Sequence, residues 1–170
     1  MDGHKPTLDD LFSATYEELR RLAASVGRLR PGETMSPTVL VNEAYVKLAR
    51  TLSLDPESRL HFKRIAARAM RQVLVEAARH RSARKRGGGR AMVTLDETVA
   101  GETGTPEEIL ALDAALEELA EMNPRQSRVV EYRFFGGLDV SETAELLDVS
   151  ESTVERDWRA ARAWMAIRLA

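Results

Sequence analysis

Residues 139–164 read DVSETAELLDVSESTVERDWRAARAW, and this stretch decides the fold of the C-terminal part of the chain. Two short helical patterns flank a tight turn around Asp148, which is the layout of a helix-turn-helix. Asp139 is followed three residues later by Glu142, a spacing typical of a capping box, and Ser150 can cap the second helix. Asp148 suits the turn because a short polar side chain tolerates a left-handed backbone. The stretch therefore predicts two capped helices joined by a tight turn.

The second helix of this motif separates its apolar and polar residues onto two faces. The apolar residues recur with helical spacing and are predicted to face a core: Val154, Trp158, Ala161 and Met165. The residues predicted to bind DNA lie near the start of the helix: Ser152, Thr153, Glu155, Arg156 and Arg159. The alternative is a pair of ordinary amphipathic helices whose arginines are solvated.

The composition of the 170-residue chain is typical of a soluble globular protein of one or two small domains, with 44% hydrophobic and 31% charged residues. The sequence has no apolar run long enough for a membrane span and no signal-peptide pattern, so we expect a cytoplasmic protein. It has no cysteine, and its three histidines are scattered, which argues against a metal site or a redox role. We therefore expect no metal and no cofactor.

The net charge of -2 conceals a segregation of charge along the chain. Between residues 59 and 90, Glu76 is the single acidic residue among eleven lysines and arginines. Between residues 91 and 123 there are nine acidic residues and no lysine or arginine. The basic block suits a nucleic acid, and the acidic block repels one.

The first half of the chain is predicted to contain three helices, and the second of them has a mixed polar side. The first helix follows a cap at Thr7, and the second begins at Ser36 and Pro37, which match the preferences for the cap and the first turn. The second helix is predicted to turn Leu40, Val41, Ala44, Tyr45 and Leu48 inward. Its other side carries Asn42, Glu43, Val46, Lys47 and Arg50. This side is either an ordinary solvated surface or a surface that binds a partner.

The third helix is the longest and is predicted from Leu60 to about Arg86. Its apolar stripe consists of Phe62, Ile65, Ala66, Ala69, Val73 and Ala77. The opposite side carries a row of arginines, Arg64, Arg68, Arg71 and Arg79. Like charges at this spacing cost about 0.2–0.5 kcal/mol per pair. The row therefore indicates an anionic partner, for which a nucleic acid is favoured over a merely solvated basic face.

A glycine triplet ends this helix and opens residues 87–104, which are rich in glycine, threonine and acidic residues. No strand precedes the triplet and no helix with Lys-Ser/Thr follows it, so the pattern favours a linker over a phosphate-binding loop. Two further helices, one after Thr105 and one after Asn123, precede the helix-turn-helix and supply its core. We predict an all-α fold of two small helical domains, 8–86 and 105–170, joined by a flexible acidic linker.

Both halves of the chain resemble the small, two-domain extracytoplasmic-function (ECF) group of sigma-70-type sigma factors. Residues 119–165, LAEMNPRQSRVVEYRFFGGLDVSETAELLDVSESTVERDWRAARAWM, resemble region 4 of that group. Residues 36–50, SPTVLVNEAYVKLAR, and 62–89, FKRIAARAMRQVLVEAARHRSARKRGGG, resemble region 2. The Arg-Gly-Gly-Gly that ends the last stretch is similar to one ECF subgroup. The resemblance covers residues 8–169, with both halves in the expected order.

The resemblance implies a bacterial transcription-initiation factor, not an enzyme, that binds core RNA polymerase and brings it to a promoter. In this family the polar side of the second helix docks on the clamp helices of the largest subunit, and the matching residues are Asn42, Glu43, Lys47 and Arg50. The basic helix lies against the downstream (minus 10) element, where a non-template base leaves the stack, and the matching residues are Arg64, Arg68, Arg71, Gln72 and Arg79. The helix-turn-helix domain contacts the upstream (minus 35) element and the polymerase flap. Whether an anti-sigma factor is a further partner stays open.

Two other functional classes compete with this interpretation. A stand-alone helix-turn-helix regulator needs a dimerisation helix with a sustained apolar seam, and the long basic helix argues against it. An enzyme that acts on nucleic acid needs a carboxylate cluster or a nucleophile beside a base, and the sequence shows neither pattern. Many members of the family that the chain resembles carry a positively charged residue at the position of Glu155. A carboxylate at this position favours contact with a nucleobase, for instance with a cytosine amino group, over contact with a phosphate.

Overall fold

The computed structural model describes residues 6–26, 37–50, 58–84 and 106–170, and every regular element in these ranges is a helix. The helices are α1 (Leu8–Val26), α2 (Pro37–Arg50), α3 (Arg59–Arg84), α4 (Pro106–Met122), α5 (Pro124–Val130), α6 (Val140–Leu147) and α7 (Glu151–Arg168). A π-helical turn, Glu131–Phe135, directly continues α5. The predicted all-α fold is confirmed for these residues. The predicted linker at 87–104, the Arg-Gly-Gly-Gly and the cap at Thr105 lie outside the described residues.

The helix starts follow from local signals in the sequence. At the start of α1 the Thr7 amide donates to Asp10 Oδ2 at 2.9 Å, and the Asp10 amide donates to Thr7 Oγ1 at 3.1 Å. At the start of α5 the Asn123 side chain accepts from the amide of Gln126 at 3.2 Å, and Pro124 occupies the first turn. Both pairs satisfy amides that a helix start leaves without a partner. The predicted caps at Thr7 and Asn123 are confirmed.

The three N-terminal helices pack against one another through the predicted apolar stripes. The buried residues of α1 and α2 include Leu11, Leu19, Leu40, Val41, Ala44 and Leu48. Those of the predicted stripe of α3 are Phe62, Ala66, Ala69 and Val73. Phe62 and Met70 face the apolar residues of α1 and α2 across this contact. These three helices therefore pack on one another through apolar side chains.

The C-terminal helices form a second packed group. The buried residues of α4 include the four that were predicted, Ile109, Leu112, Leu116 and Leu119. The chain between α5 and α6 turns at Gly136 and Gly137, and Gly137 has a left-handed φ of 63° that glycine adopts without strain. The Ser127 hydroxyl donates to the Leu116 carbonyl at 3.0 Å and ties α5 to α4. The helix-turn-helix is thus supported by α4 and α5.

The two groups of helices are in contact with each other, which the sequence analysis did not predict. α3 packs on α4, on the π-helical turn and on α6, and the buried residues of both halves belong to one cluster. A second row of α3 is therefore buried, and it contains Ala67, Leu74, Val75 and Ala78. The contact is close at Gly136, because a Cβ atom placed there would lie 2.9 Å from the Cβ of Ala67. The same Cβ atom would lie 2.5 Å from the carbonyl oxygen of Tyr132, so a side chain at this glycine would also clash within the C-terminal half.

Candidate nucleic-acid interface

The helix-turn-helix adopts the geometry that its capping residues dictate. The Glu142 amide donates to Asp139 Oδ1 at 2.8 Å, and the Asp139 amide donates to Glu142 Oε2 at 3.0 Å, which completes a capping box at the start of α6. The turn places Asp148 in the left-handed region, at φ 53° and ψ 50°. Ser150 Oγ then accepts from the amide of Thr153 at 3.2 Å and begins α7. All three predicted roles of these residues in the motif are confirmed.

The two faces of α7 separate as the sequence predicted. The apolar residues Val154, Trp158, Ala161 and Met165 are all buried. Four of the five residues predicted to bind DNA are exposed, namely Ser152, Glu155, Arg156 and Arg159. Thr153 is half-buried, and its hydroxyl lies 2.9 Å from that of Ser150. The start of α7 therefore presents the guanidinium groups of Arg156 and Arg159 and the carboxylates of Glu151 and Glu155 to solvent.

Two contacts from the preceding helices hold α7 in place. Arg125 of α5 donates to the buried carboxylate of Asp157, with Nε to Oδ2 at 2.5 Å and Nη2 to Oδ1 at 3.3 Å. The hydrogen bond and the charge of Asp157 raise the pKa of the Arg125 guanidinium. Arg133 lies over the ring of Trp158, with its guanidinium carbon 4.5 Å from the ring centroid. These contacts connect the buried side of α7 to its own supporting helices.

The basic residues of α3 have unequal surroundings. Arg68, Gln72 and Arg79 are exposed, so three of the predicted DNA-contacting residues of α3 can be reached from solvent. Arg64 is half-buried, and its Nη2 lies 2.7 Å from Nε2 of His61. Arg64 also lies near Tyr132 of the C-terminal half. Burial raises the pKa of this phenol, although the positive charges of Arg64 and Arg128 act in the opposite direction.

Arg71 is enclosed, although the sequence analysis placed it in the row opposite the apolar stripe. Only 11% of its side chain is exposed. Its guanidinium donates to Asp113 Oδ1 at 2.8 Å, to Glu117 Oε1 at 2.8 Å and to Glu131 Oε2 at 2.7 Å. Burial by itself would lower the pKa of Arg71, but the hydrogen bond that Arg71 donates to Glu131 and the negative charges of Asp113 and Glu131 outweigh burial and raise it. Arg71 therefore faces the C-terminal half and not solvent.

The outer side of α2 combines polar residues with exposed valines. Asn42, Glu43 and Arg50 are exposed, whereas Lys47 is half-buried and donates to Glu76 Oε1 of α3 at 2.7 Å. Val39 and Val46, which are 46% and 40% exposed, lie on the same side. With one-turn spacing, Val39, Asn42, Glu43, Val46 and Arg50 form a continuous row along the helix. Of the residues predicted for a partner surface, Asn42, Glu43, Val46 and Arg50 thus lie on one face, whereas Lys47 is paired with α3.

Comparison with known protein families decides the affiliation of this helical protein. The chain matches the family described as ECF sigma factor over residues 1–170. The chain belongs to the ECF sigma factor family. Neither the curated proteins nor the solved structures contain a match to it.

Family membership makes this sigma factor a subunit that binds core RNA polymerase and promoter DNA and directs transcription initiation. Within the described parts of the chain no cluster of histidine and acidic residues could hold a metal ion. No helix in those parts is long and apolar enough to cross a membrane. The exposed residues on α2, α3 and α7 are the candidate surfaces for contact with its partners.

Several contacts of this sigma factor were missed by the sequence analysis. Asp157 looks like another polar residue of α7, yet it is buried against Arg125. Two partners of Arg71, Asp113 and Glu117, belong to the acidic block of residues 91–123, and the third, Glu131, lies beyond it. The sequence feature that could have predicted the contact of α3 with the C-terminal half is its second apolar row, Ala67, Leu74, Val75 and Ala78. A helix that buries only one side has a single apolar row.

Proposed function

We propose that α7 is the helix with which this sigma factor reads the upstream (minus 35) promoter element in the major groove. The observation that carries the proposal is the exposure of Arg156 and Arg159 on the first turns of a capped helix whose other face is buried. Arginine is the residue most often found on guanine in the major groove. The residues proposed to bind DNA are Ser152, Thr153, Glu155, Arg156 and Arg159. Among them, Glu155 would accept from a cytosine amino group.

A second DNA surface is proposed on α3, against the downstream (minus 10) element. An opened strand needs a positive groove and a contact for the base that leaves the stack. Arg64, Arg68, Gln72 and Arg79 support this role because they are exposed or half-buried along one side of the helix. Arg71 belongs to the same set by sequence, but it can reach DNA only after its contact with the C-terminal half opens.

The outer row of α2 is proposed as the surface that docks on the clamp helices of the largest polymerase subunit. Interfaces that bind a protein partner combine apolar residues at the centre with a polar rim. Val39 and Val46 supply exposed apolar area on α2. The rim would consist of Asn42, Glu43, Lys47 and Arg50. Residues 105–170 would contact the polymerase flap through a surface other than the DNA-facing side of α7.

Four further expectations belong to the same proposal. The chain would work as a region 2-like domain at 8–86 and a region 4-like domain at 105–170, with 87–104 as the linker. The Arg-Gly-Gly-Gly after the basic helix would place it in the corresponding ECF subgroup. It would act in the cytoplasm as an initiation factor with no catalytic activity of its own. An anti-sigma factor would bind the same surfaces on α2, α3 or α7, if the cell contains one.

Run-off transcription with core polymerase tests the proposal. We expect promoter-specific transcripts from a library of promoter fragments when the protein is added to core enzyme, and none from core enzyme alone. Val39→Asp/Val46→Asp should abolish these transcripts, because two charges would interrupt the apolar centre of the docking surface. Ser13→Asp/Ala14→Asp on the exposed side of α1 is the matched control and should transcribe like the parent. Tight, sequence-specific DNA binding by the chain alone, without transcripts, would instead indicate a stand-alone regulator.

A further inference from the structure

Two consecutive residues of α7 are each contacted by an arginine of the elements before the helix-turn-helix. The carboxylate of Asp157 accepts from Nε and Nη2 of Arg125, which lies in the first turn of α5. The ring of Trp158 lies under the guanidinium of Arg133 in the π-helical turn. Asp157 and Trp158 are both buried. The two arginines therefore attach α7 to α5 and to the turn that continues it.

These contacts lie directly between the two arginines that are proposed to bind bases. Along residues 156–159 the outer two, Arg156 and Arg159, are exposed, and the inner two are buried. Because a helix with its side chains has a radius of about 6 Å, rotating α7 by about 30° would move Arg156 and Arg159 by about 3 Å, close to the spacing of about 3.4 Å between neighbouring bases. The rotation of α7 about its axis therefore decides which base edge each arginine meets.

The ion pair can fix this rotation, whereas the apolar contacts of α7 cannot do so alone. Apolar contacts have no preferred direction, so several rotations of α7 would bury much the same surface. An arginine that donates two hydrogen bonds to one carboxylate has a fixed, planar geometry. A buried ion pair adds little stability compared with apolar residues of similar volume, and its best-supported use is to specify one arrangement. The chemistry of Arg125 and Asp157 is therefore suited to orientation more than to stability.

We propose that Arg125 and Asp157 form a positioning pair, which sets the rotation of α7 and so determines which bases of the upstream element Arg156 and Arg159 select. The inference rests on the proposed function, in which α7 reads this element. Only 4% of the Asp157 side chain is exposed, so Asp157 acts through its neighbours and not on DNA. The Arg125 side chain is 43% exposed, so a direct contact of Arg125 with a phosphate is the alternative to be separated by experiment.

Replacing both members of the pair by apolar residues separates orientation from stability. Arg125→Met/Asp157→Leu removes the paired hydrogen bonds and leaves no buried charge without a partner, so the full chain should keep its helical circular dichroism and its thermal transition. Arg168→Met/Glu118→Leu is the matched control. It removes an arginine of α7 that also donates two hydrogen bonds to one carboxylate, at 2.7 and 2.5 Å, but at the far end of the helix.

Run-off transcription with core polymerase, on promoters with randomised upstream elements, measures the preference for each base. We expect Arg125→Met/Asp157→Leu to weaken the preference at least about 5-fold at the positions that Arg156→Ala and Arg159→Ala identify, which is the lower end of the discrimination that one bidentate base contact provides. The control should keep the preferences of the parent. A pair that only stabilised the domain would leave the preferences of a folded variant unchanged.

Parent-like preferences in the folded Arg125→Met/Asp157→Leu variant would overturn the proposal. An equal fall on all elements, with a salt slope of promoter binding that is smaller by about one, would also overturn it and assign Arg125 to a phosphate.

If the double variant does not fold, Arg125→Lys takes its place, because lysine keeps the charge but lacks the planar fork of donors. Weakened base preferences in Arg125→Lys support the positioning pair, and the preferences of the parent overturn it. A parent that transcribes without preference among upstream elements rejects the proposed role of α7 instead. Failure of the proposed function and failure of the positioning pair are thus distinguished by the parent protein.

Discussion

Arg156 and Arg159 carry the most specific prediction at the scale of single residues. Both are exposed near the start of α7, while the neighbouring Val154 and Trp158 are buried. Replacing an arginine that binds a base edge by alanine should weaken promoter binding by about 1–3 kcal/mol and relax the specificity at one position. An arginine that binds a phosphate should weaken binding evenly across promoter sequences. Transcription by Arg156→Ala and Arg159→Ala with core polymerase, on a set of upstream-element variants, measures both effects.

The control for this experiment is Arg168→Ala, which removes the same charge from the other end of α7. Arg168 is bound to Glu118 of α4 and lies about three helical turns beyond Arg156. Its replacement should leave the pattern of preferred upstream elements unchanged. If Arg156→Ala and Arg159→Ala also transcribe every element variant as the parent does, α7 is not the helix that reads the sequence.

The left-handed backbone of one residue determines how the chain turns from α6 into α7. Asp148 is the single non-glycine residue with positive φ among the described residues. A left-handed conformation costs a residue with a Cβ atom roughly 1–2 kcal/mol, and short polar side chains reduce this cost. We expect Asp148→Ala to lower the free energy of unfolding by about 1 kcal/mol relative to Asp148→Asn. Denaturant unfolding of the two variants checks this, and equal stabilities would mean that the turn relaxes to another conformation.

α3 is the element whose basic residues differ most in their surroundings. Arg68 and Arg79 are exposed, so Arg68→Gln/Arg79→Gln should leave stability unchanged. Promoter opening should fall, because two positive charges are removed from the groove that holds the opened strand. Permanganate reactivity of thymines in the downstream element measures opening. Arg20→Gln/Arg21→Gln on the exposed side of α1 makes the same change in net charge and should keep the reactivity of the parent.

Unchanged permanganate reactivity in Arg68→Gln/Arg79→Gln would mean that the exposed basic side of α3 is only solvated. The choice of these two positions matters, because Arg71 cannot serve in this test. Its replacement would change both the contact between the halves and any contact with DNA.

We expect the whole molecule to unfold as one unit while its two halves are in contact. The buried residues of both halves belong to one cluster, and α3 packs on α1 and α2 as well as on α4. Both tryptophans, Trp158 and Trp164, lie in α7, so their fluorescence reports on the C-terminal half, whereas circular dichroism reports on all helices. We expect the two thermal transitions to coincide, which is a test of two-state unfolding. In Asp113→Asn/Glu131→Gln the transitions should separate.

A parent protein whose fluorescence and circular dichroism transitions are already separate would show that the halves fold independently. Glu118→Gln/Glu121→Gln is the control, because it also removes two negative charges and Glu118 pairs with Arg168 inside the C-terminal half. Coincident transitions in the control and separate ones in Asp113→Asn/Glu131→Gln would assign the cooperativity between the halves to the carboxylates around Arg71.

The sequence by itself determined the features that depend on neighbours along the chain. The caps at Thr7, Asn123, Asp139 and Ser150 join residues three positions apart, and a helix start needs such a partner in any fold. The sides of α7 follow in the same way from helical periodicity. For these reasons the helices, the helix-turn-helix and the outward side of α7 could be predicted, and the resemblance of both halves led to the family.

The tertiary structure decided the contacts between residues that are distant in sequence. Arg71 is separated from Asp113 by 42 positions and from Glu131 by 60, and Arg125 is separated from Asp157 by 32. Periodicity assigns a charged residue to one side of its own helix, but it does not show which other helix covers that side. The enclosure of Arg71 therefore follows only from the packing of α3 between α2 and α4, since an ion pair forms where the fold brings opposite charges together.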